Sequence, residues 1–146
     1  MEPPLRERLR WRTPMRDGTR DPATRATMAR TGAYFAAAGA LAGAVSVLVP
    51  DTAVEHDGLL AATSGGAAVL ALVLVAVYDR LPGWGFHCAA VAGTALATAA
   101  VYAWGTESAY APLPYLWVAL FAFYFFQLRP ALAHMVLIAA GYGLAL

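Results

Sequence analysis

Two histidines, His87 and His134, have the widest chemical reach of any residues in this chain. An imidazole can ligate haem or a metal, and it changes charge near neutral pH. Both sit inside apolar runs, "GWGFHCAAV" and "ALAHMVLI", where an ionisable side chain carries a functional hypothesis by default. The alternative, and the plainer reading, is that each imidazole reaches the nearest polar boundary or bonds a neighbouring helix, with no cofactor. His56 lies in the polar stretch "PDTAVEHDG" and is expected to be solvated. Cys88 is the one cysteine, which excludes an internal disulfide framework and every multi-cysteine metal motif. Its apolar surroundings predict a small buried thiol. No P-loop, G-x-S-x-G, H-E-x-x-H or C-x-x-C occurs, so no catalytic constellation points to an enzyme.

The elements that must hold these histidines are written for hydrocarbon. Hydrophobic residues make up 60% of the 146 residues and charged residues 13%, with a mean hydropathy of +0.57. A soluble domain has roughly 45–50% and 25%. The net charge of +1 implies no nucleic-acid partner. Eight of the ten arginines fall between Arg6 and Arg30, and there is no lysine. Residues 1–27 hold four prolines and many charges, which predicts a disordered, arginine-rich tail. Met15 and Met28 offer alternative starts.

From Met28 onward, apolar segments alternate with short polar or proline-rich breaks. The expected spans are residues 29–49, 59–78, 84–104, 113–128 and 130–146. A membrane helix needs about 20 predominantly apolar residues, with a range of roughly 17–25. The first three spans meet that comfortably and the last two sit at its short end. Backbone groups in hydrocarbon must bond within the segment, and no alternating polarity signals a β-barrel. The expected fold class is therefore all-α, a polytopic membrane helix bundle of about five transmembrane helices. The first span reads as an uncleaved anchor, because Asp51 spoils a small-residue cleavage site.

Orientation follows from arginine. With the N-terminus in the cytoplasm, the tail with Arg30, the "DRLPG" loop with Arg80 and the "QLRP" turn with Arg129 all face inward. The outer loops then hold Asp51, Glu55, Asp57 and Glu107 and no arginine, which is the positive-inside pattern of a plasma-membrane protein. His87 and His134 fall about four residues inside the cytoplasmic ends of their spans, at a common depth of roughly 5–6 Å. No acid lies in mid-membrane, where proton-coupled carriers use one. In "YLWVALFAFYFFQLRPALAHM", Tyr115 and Trp117 are expected at the outer interface, where amphipathic rings prefer to sit. Pro130 is expected to open the last helix. Gly39 and Gly43 form a G-x-x-x-G, and Ala89, Gly93 and Ala97 repeat the small-residue spacing. Such residues let helix backbones approach. They are expected to pack the bundle, with a homodimer seam as the alternative.

Three stretches, "MARTGAYFAAAGAL", "YDRLPGWGFHCAAVAGTALATAAVYAWG" and "PYLWVALFAFYFFQLRPALAHMVLIAAGYGLAL", resemble the N-terminal membrane region of actinobacterial GGDEF-type diguanylate cyclases and related signalling proteins. The resemblance covers about residues 28–146, and the aromatic run, arginine-proline turn and following histidine are its most specific part. It implies a membrane-embedded sensor that regulates a cytoplasmic output domain making cyclic di-GMP. That domain is absent from this chain, since no GGD/EEF motif occurs. The family region has six spans, so an end at Leu146 after five implies a truncated product. Small stand-alone membrane proteins, structural or transporter subunits, are the alternative class.

Overall fold

The computed structural model describes residues 21–49, 54–105 and 113–145. Residues 1–20 of the expected tail, the loop positions with Asp51 and Glu107, and the terminal Leu146 lie outside the described residues. The described chain is all-helical: α1 (Pro22–Leu48), α2 (Asp57–Val77), α3 (Gly83–Trp104), α4 (Leu113–Phe125) and α5 (Leu128–Ala145).

The first helix begins earlier than its span predicts. Residues 21–27, assigned above to the disordered tail, instead cap and open α1. Asp21 is the N-cap, with its carboxylate accepting from the Thr24 amide at 2.9 Å and the Thr24 hydroxyl at 2.8 Å, and Pro22 supplies a pre-set φ at the first helical position. The hydroxyl bond and then the amide bond hold the Asp21 carboxyl below its ordinary pKa. A depressed folded-state pKa contributes stability that is present above the unfolded value and lost as pH falls through the folded one. Hydrogen exchange at the Thr24 and Arg25 amides should therefore accelerate below the usual carboxylate range. Asp21→Ala should show that fast exchange already at neutral pH; equal protection in both proteins at both pH values would contradict the cap.

Four helices, α1, α2, α3 and α5, are long and apolar enough to cross a bilayer. All five expected segments fold as helices, and the fourth, expected at the short end of the spanning range, falls below it. The fourth helix has 13 residues, a rise of roughly 20 Å against a hydrocarbon thickness of about 30 Å. It stops at Phe125 because Pro130 has no N–H to give the carbonyl of Phe126, and its ring collides with that carbonyl in a continuous helix. The chain breaks at Phe126–Gln127 and restarts at Leu128, with Pro130 two places further inside the first turn than expected and Arg129 already helical.

The outside of the bundle is apolar. Leu41, Leu72, Val136 and Leu144 are 67%, 70%, 70% and 81% exposed, one or more on each of α1, α2 and α5, and Leu116 and Tyr124 point out from α4. Water would penalise such a surface and lipid does not. The buried residues fall into three clusters. Around Phe86, fully buried at the start of α3, lie Met28 and Ala29 of α1, Ala122 of α4 and Ala131 of α5. At the opposite end Val101 of α3, Tyr115 of α4 and Ile138 of α5 form a second cluster. Ala33, Ala71 and Leu74 join α1 to α2.

The two ends of the bundle differ in charge. At one end Arg25 donates through Nη2 to the carbonyls of Tyr78, Asp79 and Leu81, tying α1 to the α2–α3 turn that carries Arg80. Arg25 is thus part of the fold. Arg129 opens α5 at the same end. At the other end the amides of Glu55 and His56 both donate to the carbonyl of Ala103 at 3.1 Å. There α3 stops at Gly105, whose φ of 80° and contact with the Glu55 side chain leave no room for a Cβ.

Candidate functional site

His87 projects from the second turn of α3 and His134 from the second turn of α5. The structure brings them together. Nδ1 of His87 lies 3.4 Å from Nε2 of His134, and the rings are nearly parallel, 6° apart with centroids at 5.7 Å. A reach to the polar boundary is one half of the plainer reading; His134 is buried, 6% exposed, and His87 is half-buried. The other half of that reading, a bond to a neighbouring helix, describes the contact. A neutral imidazole carries one N–H and one acceptor nitrogen, so one ring donates and the other accepts.

Phe126 completes the cluster. Its ring centroid is 4.0 Å from that of His87 and 5.2 Å from that of His134. It also meets Phe121 edge-on at 5.7 Å. Phe126 comes from the break after α4, so the three rings join α3, α5 and the end of α4 at the arginine-bearing end. The proline that ends α4 is what frees Phe126 to turn inward. Phe123, three residues earlier, faces outward and is 48% exposed.

The neutral pair already holds one proton between its facing nitrogens, and one added proton goes to the outer nitrogen of the donor ring, which charges that ring and keeps the bond. A second proton would set two N–H donors against each other at 3.4 Å, and the rings would have to part. A haem ligated by both histidines would need a slot between the rings, which the direct nitrogen contact fills. For a metal, no third His, Cys, Asp or Glu joins the two among the described residues.

The remaining candidates scatter. Cys88 is exposed on the outside of α3 and is not the buried thiol expected of it. His56 is exposed, as its loop predicts, with its ring on Tyr102 at 5.4 Å. Tyr115, expected at the interface, is 5% exposed and turned into the bundle. Its hydroxyl donates to Thr98 Oγ1 at 2.9 Å, and Thr98 in turn donates to the Thr94 carbonyl at 2.9 Å. A partner inside the bundle removes the reason for the ring to seek head groups. Trp117 is half-buried and stacks on Phe35 of α1 at 6.2 Å and 11°. The small residues also separate by role. Gly43 packs against Ser64 and Leu60 so closely that a Cβ would strike the Ser64 hydroxyl. Gly39 faces Trp117, and Gly93 faces Val118, each at ordinary contact distance. Of the expected topology anchors, Arg30, Arg80 and Arg129 are all exposed.

Sequence reasoning missed Arg25 and Phe126. For Arg25 a signal existed: "DPAT" ahead of it is a helix start, with Asp at the cap and Pro at the first position. For Phe126 there was none, because its direction depends on where α4 breaks. Comparison with protein-family models, with curated proteins and with solved structures finds no match.

Proposed function

We propose that this chain is a sensory module of the plasma membrane, with its N-terminus in the cytoplasm, that regulates a cytoplasmic output domain of the diguanylate-cyclase type through the packing of its helices. The observation that carries the reading is the stacked His87–His134 pair, because it is a titratable contact that ties three helices together at one end of the bundle. A change in the proton content of that contact changes which arrangement of α3, α4 and α5 is favoured. A sensor needs such a differential interaction between two states. The same end carries Arg25, Arg80 and Arg129, and arginine-rich ends favour the cytoplasmic face. The output domain and its cyclic di-GMP chemistry rest on the resemblance of residues 28–146 alone.

The test is a spin-label distance between α3 and α5 near the pair, measured in lipid nanodiscs from about pH 8 to about pH 5, the range in which an imidazole charges. The expected result is a pH-dependent shift that disappears in His87→Phe/His134→Phe. A distance that does not move would leave a structural, stand-alone membrane protein in its place. In cells, a cysteine introduced at Pro82 should be labelled only from the cytoplasm and one at Asp57 only from outside; the reverse pattern would overturn the orientation.

A further inference from the structure

Between α1, α2, α3 and α4 runs a cavity of about 640 Å³, separate from the histidine cluster. It follows the bundle from Gly32 to Ser46 on α1 and from Leu74 back to Leu60 on α2. Fourteen steps of helix make that roughly 20 Å long. We propose that this cavity is a binding site for one hydrocarbon chain of a membrane phospholipid, entered from the bilayer between α1 and α4.

The dimensions choose among occupants. A volume of about 640 Å³ open to the centre of a water-sized sphere over roughly 20 Å corresponds, with a water radius added at the walls, to a bore of roughly 9 Å. A helix with its side chains is a cylinder about 10–12 Å across. A further span or a helix of a second copy enters only by spreading the bundle. An alkyl chain enters with room beside it.

The lining chooses the chemistry. Among the described residues, no charged side chain and no histidine borders the cavity. Its three hydroxyls are already donors within their own helices: Ser46 to the Ala42 carbonyl at 3.0 Å, Thr63 and Ser64 to the Leu60 carbonyl at 2.9 and 2.7 Å. A polar ligand would lose its water with little in return. A hydrocarbon chain loses nothing. The polarity is also graded along the length. Gly32, Leu74, Ala90 and Phe121 at the arginine-bearing end are wholly apolar, whereas Ser46, Thr63, Ser64 and Trp104 lie toward the other. The chain tip therefore points toward the arginines and the ester end lies beside Trp104, which places the lipid in the leaflet of the Glu55–Asp57 side.

The entrance is the α1–α4 crevice. There the two helices meet through large side chains, the Phe35–Trp117 stack and Phe121 against Gly32. A second hollow of about 310 Å³ lies in the same crevice, sharing Phe35 and Phe121 with the first. Leu120 and Tyr124 of α4, which line that second hollow, are 53% and 71% exposed, so the crevice opens onto lipid.

The experiment uses the full chain in phosphatidylcholine nanodiscs doped with a phosphatidylcholine that carries a mid-chain diazirine. After irradiation, adducts are mapped by peptide mass spectrometry. The expected result is heavier labelling of Gly39, Gly93 and Ala97 inside the cavity than of the lipid-facing Leu72 and Val136. Gly39→Leu, which fills the cavity beside Trp117, should lower the cavity adducts by roughly tenfold, the change that about 1.4 kcal/mol of lost affinity produces. Gly143→Leu, at a position open to the outside, should leave them unchanged. Cavity labelling no heavier than that of the outer faces in the wild-type protein overturns the proposal, and so does labelling that Gly39→Leu leaves intact. The wild-type map alone decides if Gly39→Leu does not fold. Either outcome leaves the histidine reading untouched, since no histidine borders the site.

Discussion

Gly43→Leu should unseat α1 from α2 and cost the folded bundle about 1–3 kcal/mol, the usual range for forcing bulk into a filled contact. At Gly43 even a single Cβ would run into the Ser64 hydroxyl, with Ser64 Cβ at 3.4 Å and Leu60 Cδ1 at 3.5 Å behind it. The hydroxyl cannot swing away without giving up its bond to the Leu60 carbonyl at 2.7 Å. Gly43→Ala should therefore destabilise by less than leucine, and adding Ser64→Ala should recover most of that loss, because the next atom stands at contact distance. Gly39→Ala is the internal control: its new methyl would meet Trp117 at 3.8 Å and be tolerated. Unfolding titrations in mixed micelles, followed by helical circular dichroism, read all four proteins. Equal stability of the Gly43 and Gly39 variants would contradict the close α1–α2 approach.

The second large effect is a coupling. His134→Phe or His87→Phe alone should cost about 1–3 kcal/mol, because each leaves one ring with an unmatched polar nitrogen inside the bundle. The double substitution His87→Phe/His134→Phe removes both polar partners and keeps three stacked rings with Phe126. It should lie closer to wild type than either single variant, with a coupling of about 1 kcal/mol or more in the double-mutant cycle. Additive losses would mean that the imidazoles do not bond each other, and the sensory reading would lose the contact it rests on. The same titrations, run at a fixed pH near 8, keep added protons out of the comparison.

Much of the architecture is legible in the chain as written. The breaks at "DRLPG" and "QLRP", and the apolar runs between them, place α2, α3 and the start of α5 within two residues of where they fold. Hydrocarbon allows few alternatives to a helix, so length and hydropathy suffice. Local chemistry then limits accuracy. The N-cap at Asp21 starts α1 seven residues before the apolar run, because a cap and a proline set a helix boundary regardless of hydropathy. Pro130 shortens α4 from its carboxyl end, an effect that acts backward over four residues. Tyr115 and Cys88 exchange their expected places, one inside and one outside. In a helix apolar on every side, hydropathy carries no information about which face meets lipid and which meets protein.

That same uniformity divides what this sequence determined by itself from what the tertiary structure decided. Composition and segment length were enough for an all-helical membrane bundle, and the arginines were enough to distinguish its two ends. Helix packing in lipid is driven by shape and hydrogen bonds rather than by hydrophobicity, so partners cannot be read from an apolar pattern. Only the assembled bundle puts His87 against His134, sends Gly43 into Ser64 while leaving Gly39 on a cavity wall, and leaves a long apolar cavity between α1, α2, α3 and α4.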